Sequence, residues 1–351
     1  MKHQNMSKNI LILGAGGHGT VSLQKLFELE QCSFEVVFHT ADWGGSQGLW
    51  GRLLKLGDYF LDKKLNGKQE SFLPFGDPNK LLNFYSQQLF PDLEFFDLRS
   101  SNYITLKEKS EEFLKIIKAD SEFQVEFLDY LSESFEFFVT NRKKLNFKRE
   151  FCVGYAFHSF VLKKVGSVAN WNKYYKEVGI LPQNINLSFA YNERTVMVGK
   201  DISLVKLVGE DKIDHHDNPI LPDSIHLSST RTKKPITELN ELLAKIDQSD
   251  CIIIPSGSIT NWVSILNLEG VAKVLKSKQL IWLTNPYKSR NELDNLDYLD
   301  YFKSIGIEPI ILKSKKDTKL VSKFVLDLNR KGRYDGESLR EMLRGIIFGL
   351  V

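Results

Sequence analysis

The segment Asn9-Ile10-Leu11-Ile12-Leu13-Gly14-Ala15-Gly16-Gly17-His18-Gly19 runs from an apolar stretch straight into a cluster of glycines. Four consecutive aliphatic side chains leave no polar face for water, so the run reads as a strand buried on both sides, as in a parallel sheet. Residues 20–29 follow with Val21, Leu23, Leu26, Phe27 and Leu29 at mixed three- and four-residue spacing, which predicts a helix. Phe34-Glu35-Val36-Val37-Phe38 then reads as a second strand. Strand, glycine turn, helix and strand within about 30 residues form a βαβ unit.

Gly14, Gly16 and Gly19 carry the Gly-x-Gly-x-x-Gly spacing between that strand and that helix. Backbone N–H groups there can approach a phosphate closely, and the start of a helix favours an anion. The other reading of the same residues is a tight turn without a ligand. Gly17 would share the lining of the turn, and His18 sits where it can touch a phosphate or simply be tolerated at a helix start.

Beyond this unit, residues 57–72 read as a surface loop. Asp77-Pro78 is a helix start, aspartate suiting the N-cap and proline the first helical position. From 104 to about 138, charges alternate with Leu, Ile and Phe at helical periods and glycine is absent, so 104–150 is expected to be a helical insert suited to a lid. Residues 185–198, around Asn192-Glu193, read as an antiparallel hairpin. A βα rhythm returns with a helix over 239–246, a strand at 251–254, a helix after Ser258, a strand at 280–284, a helix over 293–302 and a strand at 307–312. The expected fold is one α/β domain over 1–351, a doubly wound and mostly parallel Rossmann-like sheet with a helical insert and an antiparallel hairpin.

The chain has 351 residues, 47 Lys and Arg against 44 Asp and Glu, and thus a net charge of +3, too small an excess to imply a polyanion partner. The basic stretches at 313–316, 142–144 and 148–149 are interleaved only by Phe147, and read as solvated faces. Cys32, Cys152 and Cys251 are far apart and odd in number, which suits a reducing compartment and a cytoplasmic location. No stretch reaches the length of a membrane span. No serine-hydrolase elbow, Walker loop or HExxH is present.

Two further loops gather chemistry. Asp42 lies 23 positions after Gly19 at the end of the second strand and precedes a second glycine loop, Trp43-Gly44-Gly45-Ser46-Gln47-Gly48. It can grip a ribose, as in a dinucleotide dehydrogenase, or a metal-bound diphosphate, since Mg²⁺ favours one or two carboxylates plus phosphate oxygens. Pro255-Ser256-Gly257-Ser258 also follows a strand, with Ser258 either facing a ligand or capping the next helix. Asp214-His215-His216-Asp217 has metal-ligand residue types, but adjacent side chains point apart, so it reads as a solvated polar loop.

Taken together these residues resemble the family of the phospholactate transferase CofD and the bacterial factor YvcK. Its members have Gly-Gly-Gly-Thr-Gly after the first strand and Thr-Ala-Asp-Asp-Gly-Gly-Ser-Ser-Gly after the second. Here stand Gly14-Ala15-Gly16-Gly17-His18 and Thr40-Ala41-Asp42-Trp43-Gly44-Gly45-Ser46-Gln47-Gly48. Leu73-Pro74-Phe75-Gly76-Asp77, Ile180-Leu181-Pro182 and Gly257-Ser258-Ile259 are similar to further family segments, and Asn285, Glu292 and Asp294 match a family Asn, Glu and Asp without gaps. The chain departs from the pattern at Trp43, which replaces the second aspartate, and at Thr260, which replaces a tyrosine. Gly154-Tyr155 and His158-Ser159 compete for one family position.

The resemblance implies a phosphorylated nucleotide ligand of the UDP-sugar or guanine-nucleotide type, with neither nucleic acid nor membrane as partner and a homo-oligomer left open. Gly14, Gly16 and Gly17 would line the phosphate turn. Gly44, Gly45 and Ser46 would offer donors, and Gly257, Ser258 and Asn285 would close the other wall. Asp42 and Asp77 are the catalytic candidates, Asp42 also being the Mg²⁺ ligand, while an N-cap role would equally explain Asp77. In the YvcK branch the chain is a regulator binding a nucleotide sugar. In the CofD branch it is a Mg²⁺-dependent transferase of a phosphorus-containing group to a deazaflavin precursor. An NAD-binding oxidoreductase is the third reading, from glycine spacing alone. Trp43 and Trp50 are the residues that could stack on a bound ring.

Overall fold

The computed structural model describes residues 7–14, 17–39, 78–89, 99–100, 108, 111–112, 115, 129–130, 132–134, 136, 151–191, 195–229, 234–236 and 239–351. In chain order the elements are β1 (Lys8–Leu13), α1 (Gly17–Ser22), β2 (Cys32–Phe38), α2 (Asn79–Leu89), β3 (Arg99–Ser100), β4 (Phe151–Cys152), α3 (Val153–Val165) and α4 (Val168–Glu177). Then come β5 (Ile185–Phe189), β6 (Thr195–Lys200), β7 (Lys206–Val208), α5 (Glu210–Asp214), β8 (His226–Ser229), α6 (Asn240–Gln248), β9 (Cys251–Ile254) and α7 (Ile259–Leu266). They are followed by α8 (Val271–Leu275), β10 (Gln279–Leu283), α9 (Asn295–Ser304), β11 (Ile310–Ser314), β12 (Phe324–Leu326) and α10 (Gly336–Ile347). Two compact units divide the chain, Met1–Ala41 with Asn184–Val351, and Asp42–Gln183.

The first unit is built on a seven-stranded sheet in the order β12-β11-β10-β9-β1-β2-β5, with each neighbouring pair parallel. All four residues of β9 and the last four of β1 are buried, which is why these strands are continuous apolar runs rather than alternating ones. The chain winds outward from β1 through β2 to β5, then returns to the other side of β1 and winds outward through β9 to β12. The winding direction therefore reverses between β1 and β9, and in open α/β sheets ligands bind outside the carboxyl ends of strands at such a point. An apolar layer of Leu11, Leu13, Ile252, Ile254, Trp262 and Phe302 belongs to the core here.

A separate antiparallel sheet, β7-β6-β8, carries the hairpin, with different partners from those the sequence suggests. Residues 185–198 do not fold back on themselves: β5 pairs in parallel with β2, and the hairpin is β6 with β7. β5 is buried at Ile185 and from Leu187 through Phe189, so it suits a parallel sheet even though its alternating pattern mimics a half-exposed strand. The hairpin turn is organised by Asp201, whose carboxylate accepts from the N–H groups of Ser203 (2.9 Å) and Val205 (2.8 Å), from Asn218 Nδ2 (3.1 Å) and makes a 2.9 Å contact with His216 Nε2. The His216 contact leads the effects that lower its pKa from 3.8 to about 2. A carboxylate depressed on folding stabilises fully above the unfolded value and loses that contribution as pH falls toward the folded one. Acid titration of the melting temperature is therefore expected to fall more steeply between pH 4 and 2 in the wild type than in Asp201→Asn. Parallel profiles would contradict this account.

The helix expected over 20–29 is two pieces, α1 and a 3₁₀ turn at Leu26–Glu28, and α1 starts earlier than its apolar spacing indicates. Pro78 precedes α2, and its carbonyl accepts the first helical bond from Leu82 (3.1 Å), one position later than proline at N1 would require. Within 104–150, the described residues 108, 111–112, 115, 129–130, 132–134 and 136 are helical. The loop 57–72 lies outside the described residues. No helix among the described residues is long and apolar enough to cross a membrane.

In the second unit, α3 and α4 enclose His158, whose Nδ1 lies 2.7 Å from Tyr175 Oη. Burial pushes this imidazole down to about 3, and its ring packs edge-on to Phe157 and Tyr175. It is a neutral side chain in a packed aromatic cluster.

Candidate functional site

Parallel register places the ends of four strands side by side. Leu13 pairs with Val37, Ile12 with Ile253, and Ile254 with Trp282, so the residues that follow all leave from the same edge. Gly14, at φ +72°, abuts the start of α7, and a Cβ on it would lie 2.4 Å from Trp262 Cα and 2.8 Å from Asn261 O. A Cβ on Gly19 would meet Ser256 O at 2.3 Å. The glycine turn and the 255–258 loop are thus pressed together at the winding reversal, and Gly14 and Gly19 are required by that contact whatever else the turn binds.

Asn285 continues the sheet past its last backbone rung. The offset of 28 residues between Ile254 and Trp282 recurs between Gly257 and Asn285, whose side-chain Oδ1 accepts from Gly257 N–H and whose Nδ2 donates to Gly257 O, both at 2.7 Å. Its amide also donates toward Glu292 (3.1 and 3.3 Å), so it positions the 257 loop with both of its N–H donors in use. Glu292 is buried and accepts from Ser289 N–H (3.1 Å). Burial raises its pKa, the Ser289 and Asn285 bonds oppose the rise, and Asp214 adds to it.

Ser258 caps α7, as one of its two readings had it. Its Oγ also lies 2.8 Å from Asp214 Oδ1, as does Thr260 Oγ1, and the two hydroxyls are 2.8 Å from each other. Asp214 is the last residue of α5, a short helix anchored by buried Ile213 and by Asn291 Nδ2 on the Ile213 carbonyl (3.2 Å). Asp214 and His216 are therefore not members of a solvated loop, whereas His215 and Asp217 are exposed. No group of three or more metal-ligating side chains occurs among the described residues.

Immediately after β2 stands His39, buried, with Nε2 2.7 Å from Asn261 Oδ1 across the end of β1. Burial lowers its pKa against the raising influence of Asn261 and Asp214, and with Asn261 Oδ1 accepting, the neutral ring carries its proton on Nε2. A polar cleft of about 210 Å³ opens on the same edge, lined in part by Asn285, Glu292, Asn295, Lys316 and Lys319. Lys288, also on this cleft, and Lys319 both pair with Asp294 (3.0 and 2.6 Å).

Of the expected site residues, the structure brings Gly14, Gly257, Ser258 and Asn285 to one edge, and Gly17 is the first residue of α1. Gly16, Asp42, Gly44, Gly45, Ser46, Asp77, Trp43 and Trp50 lie outside the described residues. His39, Asp214, Thr260 and Asn261 were not among the expected site residues, and Glu292 was matched without a role. His39 had one signal, its position directly after an apolar strand. Asp214 was noted only for the metal-ligand residue types around it, and nothing local signalled its bonds to Ser258 and Thr260, which are 44 and 46 residues away.

Strand order, glycine turn and the loops converging at the winding reversal define a doubly wound α/β protein of the Rossmann-like class. Among solved structures, the chain is similar to two crystal structures of protein BH3568 from Bacillus halodurans, the second described as a member of the UPF0052 family. They give TM-scores of 0.60 and 0.59 at 15% identity, covering 96% and 95% of this chain and 99% and 98% of theirs. At that identity the likeness establishes the fold. No family model and no curated protein matches the chain.

Proposed function

We propose that this chain is a CofD/YvcK-type protein that binds a phosphorylated nucleotide, either a nucleotide sugar or a nucleoside diphosphate, at the carboxyl edge of its parallel sheet. The observation that carries this reading is the packing of the glycine turn against the 255–258 loop at the winding reversal, where this class of sheet collects its ligands. UPF0052 is the family of CofD and YvcK, so the motif resemblance and the fold likeness point the same way.

The described residues do not build a resident metal centre. In this reading Asp42 would hold a Mg²⁺ ion brought by the ligand's phosphates, which would neutralise their charge. The dinucleotide reading would instead have Asp42, 23 positions after Gly19, grip a ribose without a metal.

The test is calorimetry of the full chain with UDP-glucose, GDP, GTP and NAD, each with and without Mg²⁺. Heat with a UDP-sugar or guanine nucleotide that depends on Mg²⁺ and is lost in Asp42→Ala supports the reading. Saturation by NAD alone, without metal, sinks it. Regulator and transferase are then separated by incubating donor with acceptor and assaying released mononucleotide. In the transferase case an acceptor hydroxyl forms the new bond to the donor's phosphorus, and the bond to the mononucleotide breaks.

A further inference from the structure

We propose that Asp214 selects the hydroxyl-bearing part of the ligand, a ribose or hexose, and keeps phosphate away from the start of α7; this rests on the nucleotide reading above. Ser258, Thr260 and Asp214 form a trio with three contacts of 2.8 Å and only two hydroxyl protons to share among them. Both protons are consumed inside it, so neither hydroxyl is left to donate to a phosphate. Asp214 Oδ1 is held by two neighbours, while Oδ2 takes no hydrogen bond among the described residues, and the carboxylate is only partly covered.

The helix start that would otherwise attract an anion thus presents acceptors. Buried Glu292 lies behind them, close enough for the charge of Asp214 to add to the rise in its pKa that burial causes. A wall of this polarity repels phosphate and pairs with O–H or N–H donors. The phosphates must then lie elsewhere on the edge, with the glycine turn as their place, and the sugar hydroxyls at Asp214. The ligand class that satisfies both is one with an anionic diphosphate and hydroxyl donors a few bonds away.

The experiment compares wild type and Asp214→Asn by calorimetry with GDP, UDP-glucose and inorganic pyrophosphate in Mg²⁺. Asn keeps an acceptor for Ser258 and Thr260 and turns only the outward oxygen into a donor. Its affinity for the nucleotide the wild type binds is expected to fall by about tenfold, the scale of one charge-assisted hydrogen bond, with pyrophosphate unchanged or tighter. Equal affinity of both proteins for the nucleotide, or an equal loss for pyrophosphate, overturns the proposal while leaving the nucleotide reading intact. Silence of the wild type toward every probe overturns both. Should Asp214→Asn misfold, Thr260→Val serves instead: it keeps the charge, frees the carboxylate to rotate, and is expected to weaken the nucleotide alone. An unchanged nucleotide affinity in it counts against the proposal.

Discussion

Gly14→Ala lowers stability by about 3–5 kcal/mol, combining the 1–2 kcal/mol cost of an L-residue at positive φ with the cost of overpacking a site that cannot yield. The steric part dominates because the added methyl meets Trp262 Cα at 2.4 Å, Trp262 Cβ at 2.5 Å and Asn261 O at 2.8 Å, which are atoms of a packed helix rather than the end of a flexible side chain. The turn cannot retreat either, since it leaves from β1, which is paired on both sides. For a chain of 351 residues the loss corresponds to a fall of roughly 5 °C in Tm. Gly166→Ala is the internal control: it has nearly the same φ, +76°, and nothing within 4 Å of the added carbon. It is expected to lose about 1 kcal/mol, the conformational cost alone. Equal melting temperatures for the two variants would show that the loop contact is not what demands glycine at position 14.

The parallel core was legible because burial on both faces leaves a plain trace: Ile10 to Leu13 and Cys251 to Ile254 are apolar without alternation and end at glycine or proline. What the pattern could not convey was pairing. β5 and β6 are close in sequence and both rich in β-formers, yet one joins β2 and the other joins β7 and β8, a choice made by long-range packing. The candidate site divides in the same way. Gly257 and Ser258 announce themselves as loop residues at a strand end. The carboxylate that engages Ser258 comes from α5, and the histidine bonded to Asn261 comes from the far side of β1. Such partners are joined by the order of strands in the sheet, which no local spacing encodes. The resemblance to known motifs reached Asn285 and Glu292 by position, but only their bonds to Gly257 and to each other show that they hold a loop in place.

Trp262→Ala is expected to cost a further 3–5 kcal/mol, about the usual price of deleting a buried tryptophan. Its ring is 3% exposed, stacks on Phe302 at 5.3 Å with 3° between planes, and meets Tyr298 edge-on at 5.6 Å and Trp282 at 6.2 Å. Trp262→Phe keeps part of that contact and should lose only about 1–2 kcal/mol. The same helix carries Thr260 and Asn261, so loosening it should also release His39. NMR titration is expected to show the His39 imidazole moving back toward its ordinary pKa as water reaches it. The double variant Gly14→Ala/Trp262→Ala discriminates between ring and backbone as the source of the crowding at Gly14. Cα, Cβ and the carbonyl of residue 261 all survive truncation of the indole, so the two losses should add. Recovery of stability in the double variant would mean that the indole ring crowds the glycine turn, and the backbone contact between the two loops would then lose its place as the feature that orders the site.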